Sequence, residues 1–198
     1  MKRESSHSPA EGSAPGLAGR RPVRRFLAIF LATVAAFYGL TLSPWMDAHV
    51  LYPVMEASAR GTSLVLGVFG VRTAVDGVVV RGADYAMAVR RGCDPLEPMV
   101  LFGAGVAAFP SPWMRKLAGL AAGEAVLFGM NLARLVTLYV LGARRSAWFA
   151  SFHLDWWPAF FLIFALALWA GWMSWSGAGP SGADRAKARR GQARTGEP

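Results

Sequence analysis

The sequence predicts an all-α polytopic membrane bundle of about four spans, with a small β-hairpin-like element on its extracytoplasmic side. Three observations carry that prediction. Hydrophobic residues make up 54% of the 198 positions, with eight Trp and twelve Phe, against about 45–50% in soluble domains. Charged residues are sparse, at 17%, and gather at the ends of apolar runs. Those runs are long, Gly/Ala-rich and separated by short polar loops. The net charge of +9 would suit nucleic acid, but its location speaks against that partner. Arg20, Arg21, Arg24 and Arg25 precede the first apolar run, and Arg185, Lys187, Arg189, Arg190 and Arg194 follow the last. Basic flanks of this kind are what the positive-inside bias of membrane proteins produces.

Taken in order, residues 1–25 read as a disordered, basic cytoplasmic tail, rich in Ser, Gly and Pro. His7 falls in it and is given no role. Phe26 to Leu42 is an apolar run with no A-x-A-like cleavage site after it, and so an uncleaved first span rather than a signal peptide. Met46 to Ala59 has near-helical apolar spacing and suits an interfacial amphipathic helix. The run Ser63 to Val71 is too short to cross a bilayer. It extends the preceding helix or forms a re-entrant piece, and residues 46–71 are where a further span could hide. From Val71 to Val89 the period changes to two, and Asp76-Gly77 and Arg81-Gly82 supply turn residues for short strands. The second span is Leu96 to Phe109, ending at Pro110-Ser-Pro112. The third is Leu117 to Leu141, and the fourth Trp157 to Trp175, with Trp156, Trp157, Trp172 and Trp175 as interfacial belts. Residues 26–175 thus form the membrane domain, and 176–198 a second disordered basic tail on the cytoplasmic side.

Counting spans from a cytoplasmic N-terminus puts residues 43–92 and 143–156 on the extracytoplasmic side, where Arg144 and Arg145 are an exception to the charge rule. The same count puts Cys93, the sole cysteine, at the outer end of the second span. His153 precedes the outer end of the fourth. Arg134 lies about 10 Å below the outer end of the third, at 1.5 Å per residue. The three can meet. A thiolate attacks a carbonyl, an imidazole takes and returns the proton, and a guanidinium can hold the oxyanion. Asn131, one turn before Arg134, can orient it or touch substrate. Each residue also has a plain reading. Cys93 serves equally as a small buried hydrophobe, His153 as a solvated loop residue, and Arg134 as the partner of Glu124 or Asp155. Glu124 itself could snorkel or pair with Lys116. One cysteine forms no internal disulfide or Cys-rich zinc site, and no motif for a metal, nucleotide or other cofactor is present.

Cys93 in GCDPLEPM, Arg134 in NLARLVTL and His153 in FHLDWWPAFF, in that order between membrane helices, resemble the exosortase/archaeosortase family over roughly residues 26–175. The compact size and the lead-in VRRGCD resemble the short subfamily called exosortase H. The resemblance implies a multi-pass cysteine transpeptidase or peptidase of the bacterial inner membrane, with its active site facing the extracytoplasmic side. Its partners would be membrane lipids and exported proteins bearing a C-terminal sorting signal: a short motif, a transmembrane helix and a basic cluster. Cys93 matches the family nucleophile, Arg134 and His153 the motif arginine and histidine, and Asn131 the asparagine three positions before that arginine. Family members often carry Gly two residues after the cysteine. Here that position is Pro95, which a first helical turn tolerates. Two rival functions fit the same residues: a non-enzymatic membrane scaffold or assembly factor, and a membrane acyltransferase using Cys93 on a lipid.

Overall fold

The structure, a computed structural model, describes residues 20–177. The tails expected to be disordered, over 1–19 and 178–198, lie outside the described residues. Helix α1, Arg20–Leu40, starts inside the basic cluster rather than at Phe26, since Pro22 in a first turn has no intrahelical donor to lose. Residues 20–25, read from sequence as tail, are therefore its opening turns. After α1, Ser43 accepts from the Trp45 N–H at 3.2 Å and Pro44 takes the first helical position, a start that both residue types favour. The short helix α2, Pro44–Met46, runs on through a π turn, Asp47–Leu51, into α3, Tyr52–Val68.

The π turn has a local cause. Pro53 offers no N–H to the carbonyl four residues back, that of His49, and its ring crowds that carbonyl. The chain widens instead, and the Tyr52 N–H reaches the Asp47 carbonyl. Helix α3 includes Ser63 to Val68, so that run extends the preceding helix. Glu56 and Arg60 form an ion pair at 2.6 Å on this helix. It is not among the helices long and apolar enough to cross a membrane, and no additional span appears between 46 and 71.

Three strands follow, β1 Ala74–Asp76, β2 Val79–Arg81 and β3 Ala86–Ala88, in an antiparallel sheet ordered β1-β2-β3. Val80 pairs with Val75 on one side and Met87 on the other. Gly77, at φ +56°, opens the two-residue turn between β1 and β2, where few side chains are tolerated. The sheet packs on α3 and on the later helix α5. It does so through two tyrosines, each seated on a glycine. Tyr85, before β3, lies against Gly142, and Tyr139 lies against Gly82, so that a Cβ at either glycine would collide with a ring. The two rings meet edge to face at 5.3 Å.

Helix α4, Leu96–Ala108, has 13 residues and is about 20 Å long, shorter than the ~30 Å hydrocarbon core. Three helical stretches meet the span criterion: Pro22–Leu40, Trp113–Ala143 and Phe149–Gly177. Against the expected count of about four, the structure has three full-length candidates among the described residues plus this shorter apolar helix. Its shortness follows from its place. It packs against α1, α5 and α7, burying Phe102, Ala104, Gly105 and Val106, so most of its surface meets protein rather than lipid. Helix α5, Trp113–Ala143, is about 46 Å long. Gly119 and Gly123 on it receive the Trp172 indole and the Phe102 ring, the close approach that small residues allow.

The segment 143–156, read as a loop, is largely helical. It contains α6, Phe149–Ser151, then a second π turn, Phe152–Trp156, and runs unbroken into α7, Trp157–Gly177. Pro158 repeats the effect of Pro53, and the Trp157 N–H bonds to the Phe152 carbonyl. Large apolar side chains such as Phe160, Leu162, Ile163 and Leu166 stay exposed along α7, as a lipid-facing surface requires.

Two apolar cores share α5. One joins Ala59 and Leu66 of α3, Val80, Met87 and Val89 of the sheet region, and Leu135, Leu138 and Tyr139. The other joins Phe102 and Val106 of α4, Leu127, and Phe161, Ala165 and Trp172 of α7.

Candidate active site at the seam between two cores

Asn131 and Arg134 sit on α5 between Leu127 of one core and Leu135 of the other. Both are buried, Asn131 at 0% and Arg134 at 7% exposure. Arg134 is nine residues from the end of α5, about 14 Å along the axis. No ion pair joins it to Glu124 or Asp155 among the described residues. Its guanidinium carbon lies 6.0 Å from the centre of the Phe161 ring, and the adjacent Leu135 belongs to the core against which Cys93, Phe152 and Trp157 pack. Three chain segments remote in sequence therefore meet beside this arginine. Lys116, the other partner considered for Glu124, donates to the Ala107 carbonyl at 2.6 Å.

Cys93 is a free, half-buried thiol, packed against the sheet-side core. It stands in a turn closed by its own N–H on the Arg90 carbonyl at 2.8 Å. Gly92, at φ +81°, lets the chain reverse there. Asp94 braces the turn, accepting from the Gly92 N–H and the Leu96 N–H, each at 3.1 Å. Arg91 anchors the approach through an ion pair with Asp47. A cavity of about 100 Å³ adjoins the turn, between Tyr38 of α1 and Thr41 just after it on one side and Arg91, Asp94 and Glu97 on the other.

His153 lies in the second π turn, not in a loop. Such turns are frequent at functional sites because they rotate one side chain out of the helical series. The first π turn holds His49, which permits an internal comparison. His49 stacks on Trp45 at 5.0 Å and its Nδ1 meets the Trp45 carbonyl at 2.9 Å. His153 stacks on Phe149 at 5.9 Å, but its Nδ1 is buried without a hydrogen-bond partner among the described residues. One imidazole is satisfied and the other is free for use.

The same orphaning marks the whole seam. Both amide atoms of Asn131, Nε of Arg134, Nδ1 of His153 and Nε1 of Trp157 are buried and unpaired among the described residues. Most buried polar groups in proteins are paired; here five atoms without a hydrogen-bond partner fall on Asn131, Arg134, His153 and Trp157, with others dispersed over Asp47, Ser58, Ser111, Glu124 and Trp169. Trp157 touches both cores. Neither Trp157 nor Asp94 was singled out from sequence as a site residue. A carboxylate two residues ahead of a helix start is a recognisable capping signal, whereas nothing in the Trp156-Trp157 pair says which indole turns inward.

Among the described residues no group of three His, Cys, Asp or Glu side chains could hold a metal ion. No curated protein and no solved structure matches the chain. A family model described as Transmembrane exosortase (Exosortase_EpsH) matches residues 12–170. That match covers most of the chain, including the turn carrying Cys93, all of α5, the second π turn and α7 as far as Ala170. The protein is a multi-pass membrane protein and belongs to the transmembrane exosortase family.

Proposed function

We propose that this exosortase is a membrane cysteine transpeptidase or peptidase that cleaves the C-terminal sorting signal of exported proteins. The observation that supports the reading most is the buried Arg134, next to the core against which pack both Cys93 and the two residues that bracket His153, namely Phe152 and Trp157. In the proposed reaction, His153 takes the thiol proton as Cys93 Sγ attacks the scissile carbonyl. Arg134 and the amide of Asn131 hold the oxyanion in a seam that excludes water. The C–N bond breaks as His153 returns the proton to the leaving amine, leaving the substrate acyl group on Cys93. An amine of the acceptor, or water, then attacks the thioester and releases the thiol. The substrate's transmembrane helix and basic cluster would hold its motif at the extracytoplasmic side of the bacterial inner membrane.

The test is processing of an exported protein with such a signal in cells carrying Cys93→Ala or Cys93→Ser. Loss of processing at normal protein level is expected for both. Full processing with Cys93→Ala would remove the enzyme reading and leave the scaffold. Labelling of Cys93 in intact cells by a membrane-impermeant maleimide checks the side. Labelling from outside is expected, and labelling only after lysis would overturn the orientation.

A further inference from the structure

We propose that the cleft at the arginine-rich end of α1 is a binding site for the headgroup of one anionic phospholipid. A cavity of about 630 Å³ opens there, within the roughly 300–1,000 Å³ of small-ligand clefts. Three parts of the chain wall it. Helix α1 contributes Arg25 and Ile29, the end of α4 contributes Phe109, and the link into α5 contributes Ser111 and Lys116. Two cations and a hydroxyl thus share one cavity with aliphatic and aromatic surface, the mixture that a phosphate head joined to acyl chains requires. The level suits a headgroup as well. Pro22, also in the lining, and Trp113, next to it in the α4–α5 link, are the first residues of two candidate spans. The Trp172 indole donates to the Arg115 carbonyl at this same end, at 3.1 Å, and Trp is enriched at the membrane–water interface.

Basic residues at a span end also serve the positive-inside bias, but that bias asks for their number and not for a cavity between them. The neighbouring arginine shows the difference. Arg115 donates to the Ser176 carbonyl at 2.6 Å and lies 5.8 Å from the Trp175 ring centre, so it ties α5 to α7. Arg25 makes no ion pair among the described residues. Lys116 uses one of its three donors, on the Ala107 carbonyl at 2.6 Å. Ser111 Oγ is buried and has no partner among the described residues. No carboxylate is near to answer these groups. Among the described residues, 20–46, 98–123 and 156–177 contain neither Asp nor Glu. Glu124 lies about 12 Å farther along α5 than Lys116, beside Gly103. A phosphate supplies the missing anion. Its oxygens accept from the Arg25 guanidinium, the Lys116 ammonium and the Ser111 hydroxyl, as in other basic pockets between membrane helices. The cavity is about 27 Å along α5 from Arg134, so the site stands apart from the seam and from the chemistry proposed there.

The experiment follows thermal unfolding of the purified, delipidated full chain in a neutral detergent as lipid is added. Phosphatidylglycerol at about ten times its Kd is expected to raise Tm by about 3–6 °C. Phosphatidylcholine, whose headgroup is zwitterionic, should shift it by less than about 1 °C. Arg25→Gln and Lys116→Gln should each raise the apparent Kd for phosphatidylglycerol about tenfold, the loss of one charge-assisted contact. Ala107→Phe keeps every charge and places a ring in the lining, so the shift should vanish. The two Gln variants carry the test where the added ring perturbs folding. Arg24→Gln, at an exposed cation outside the lining, should leave Kd within about twofold. Three results overturn the proposal. One is no shift with phosphatidylglycerol in the unaltered chain. Another is an equal loss in Arg24→Gln, or a shift that survives in a folded Ala107→Phe chain, either of which makes the effect a diffuse basic surface. The third is glycerol 1-phosphate raising Tm as much as the lipid does, which assigns the cavity to a soluble phosphate.

Discussion

Replacing Asn131 with Leu should stabilise the protein and disable it together. Asn131 is fully buried, and neither its carboxamide oxygen nor its nitrogen has a partner among the described residues. Each unsatisfied buried group costs about 1–3 kcal/mol, so the two together cost about 2–6 kcal/mol. Leucine removes both and meets Leu127 and Leu135 in the neighbouring turns, but its extra bulk returns about 1–3 kcal/mol of overpacking. The net expectation is a gain of about 2 kcal/mol, seen as a rise in Tm of about 4–8 °C for a chain of this size. If the amide donates to the oxyanion, kcat falls by about 10²–10³ in the same preparation. Thermal unfolding in detergent and processing of a signal-bearing substrate measure the two sides. A variant that melts several degrees earlier and processes normally would refute the reasoning, because Asn131 would then be a satisfied core residue.

The two π-turn histidines should separate cleanly. His153→Gln is expected to lower kcat by about 10²–10⁴, the range for a lost general base, whereas His49→Gln, with its ring already bonded to a carbonyl, should stay within about twofold. Pro158→Ala restores a donor to the Leu154 carbonyl and lets the π turn relax toward α, turning His153 by about 100° relative to α7. Processing should drop by about tenfold or more with no loss of thermal stability, and an unchanged rate would show that the turn does not aim the imidazole. Gly142→Ala drives a methyl into the Tyr85 ring and should cost about 1–3 kcal/mol. Tyr85→Leu in the same chain should recover part of that cost, measured by thermal unfolding.

Legibility in the sequence followed the reach of each physical signal. Apolar runs and their basic flanks report on solvent, so the positions of α1, α5 and α7 and the location of Arg134 within a span could be read directly. Period-two alternation over Val78–Val89 pointed to a hairpin-like element, and the remaining strand, β1 (Ala74–Asp76), was not read from it. The short helix α4 could be seen but not weighed, because span counting treats every apolar run as facing lipid, whereas α4 is enclosed by other helices. The π turns were missed although their cause, a proline in a helical run, was in plain view. The run FHLDWWP reads as a loop if proline is taken only as a stop. Asp94 was missed for another reason: its two hydrogen bonds depend on the left-handed conformation of Gly92, which no composition rule supplies.

On the proposed peptidase reading, with entry from the Ala143 side, the depth of Arg134 bounds the substrate's geometry. A chain arriving at the level of Ala143 must descend about 14 Å to reach the guanidinium, which takes about four residues of extended backbone at ~3.3 Å each. A peptide with a bulky fold or a membrane helix closer than that to its scissile bond cannot present the carbonyl. Under that reading, recognition begins as a ruler, measuring the length of unstructured chain before any side chain is read.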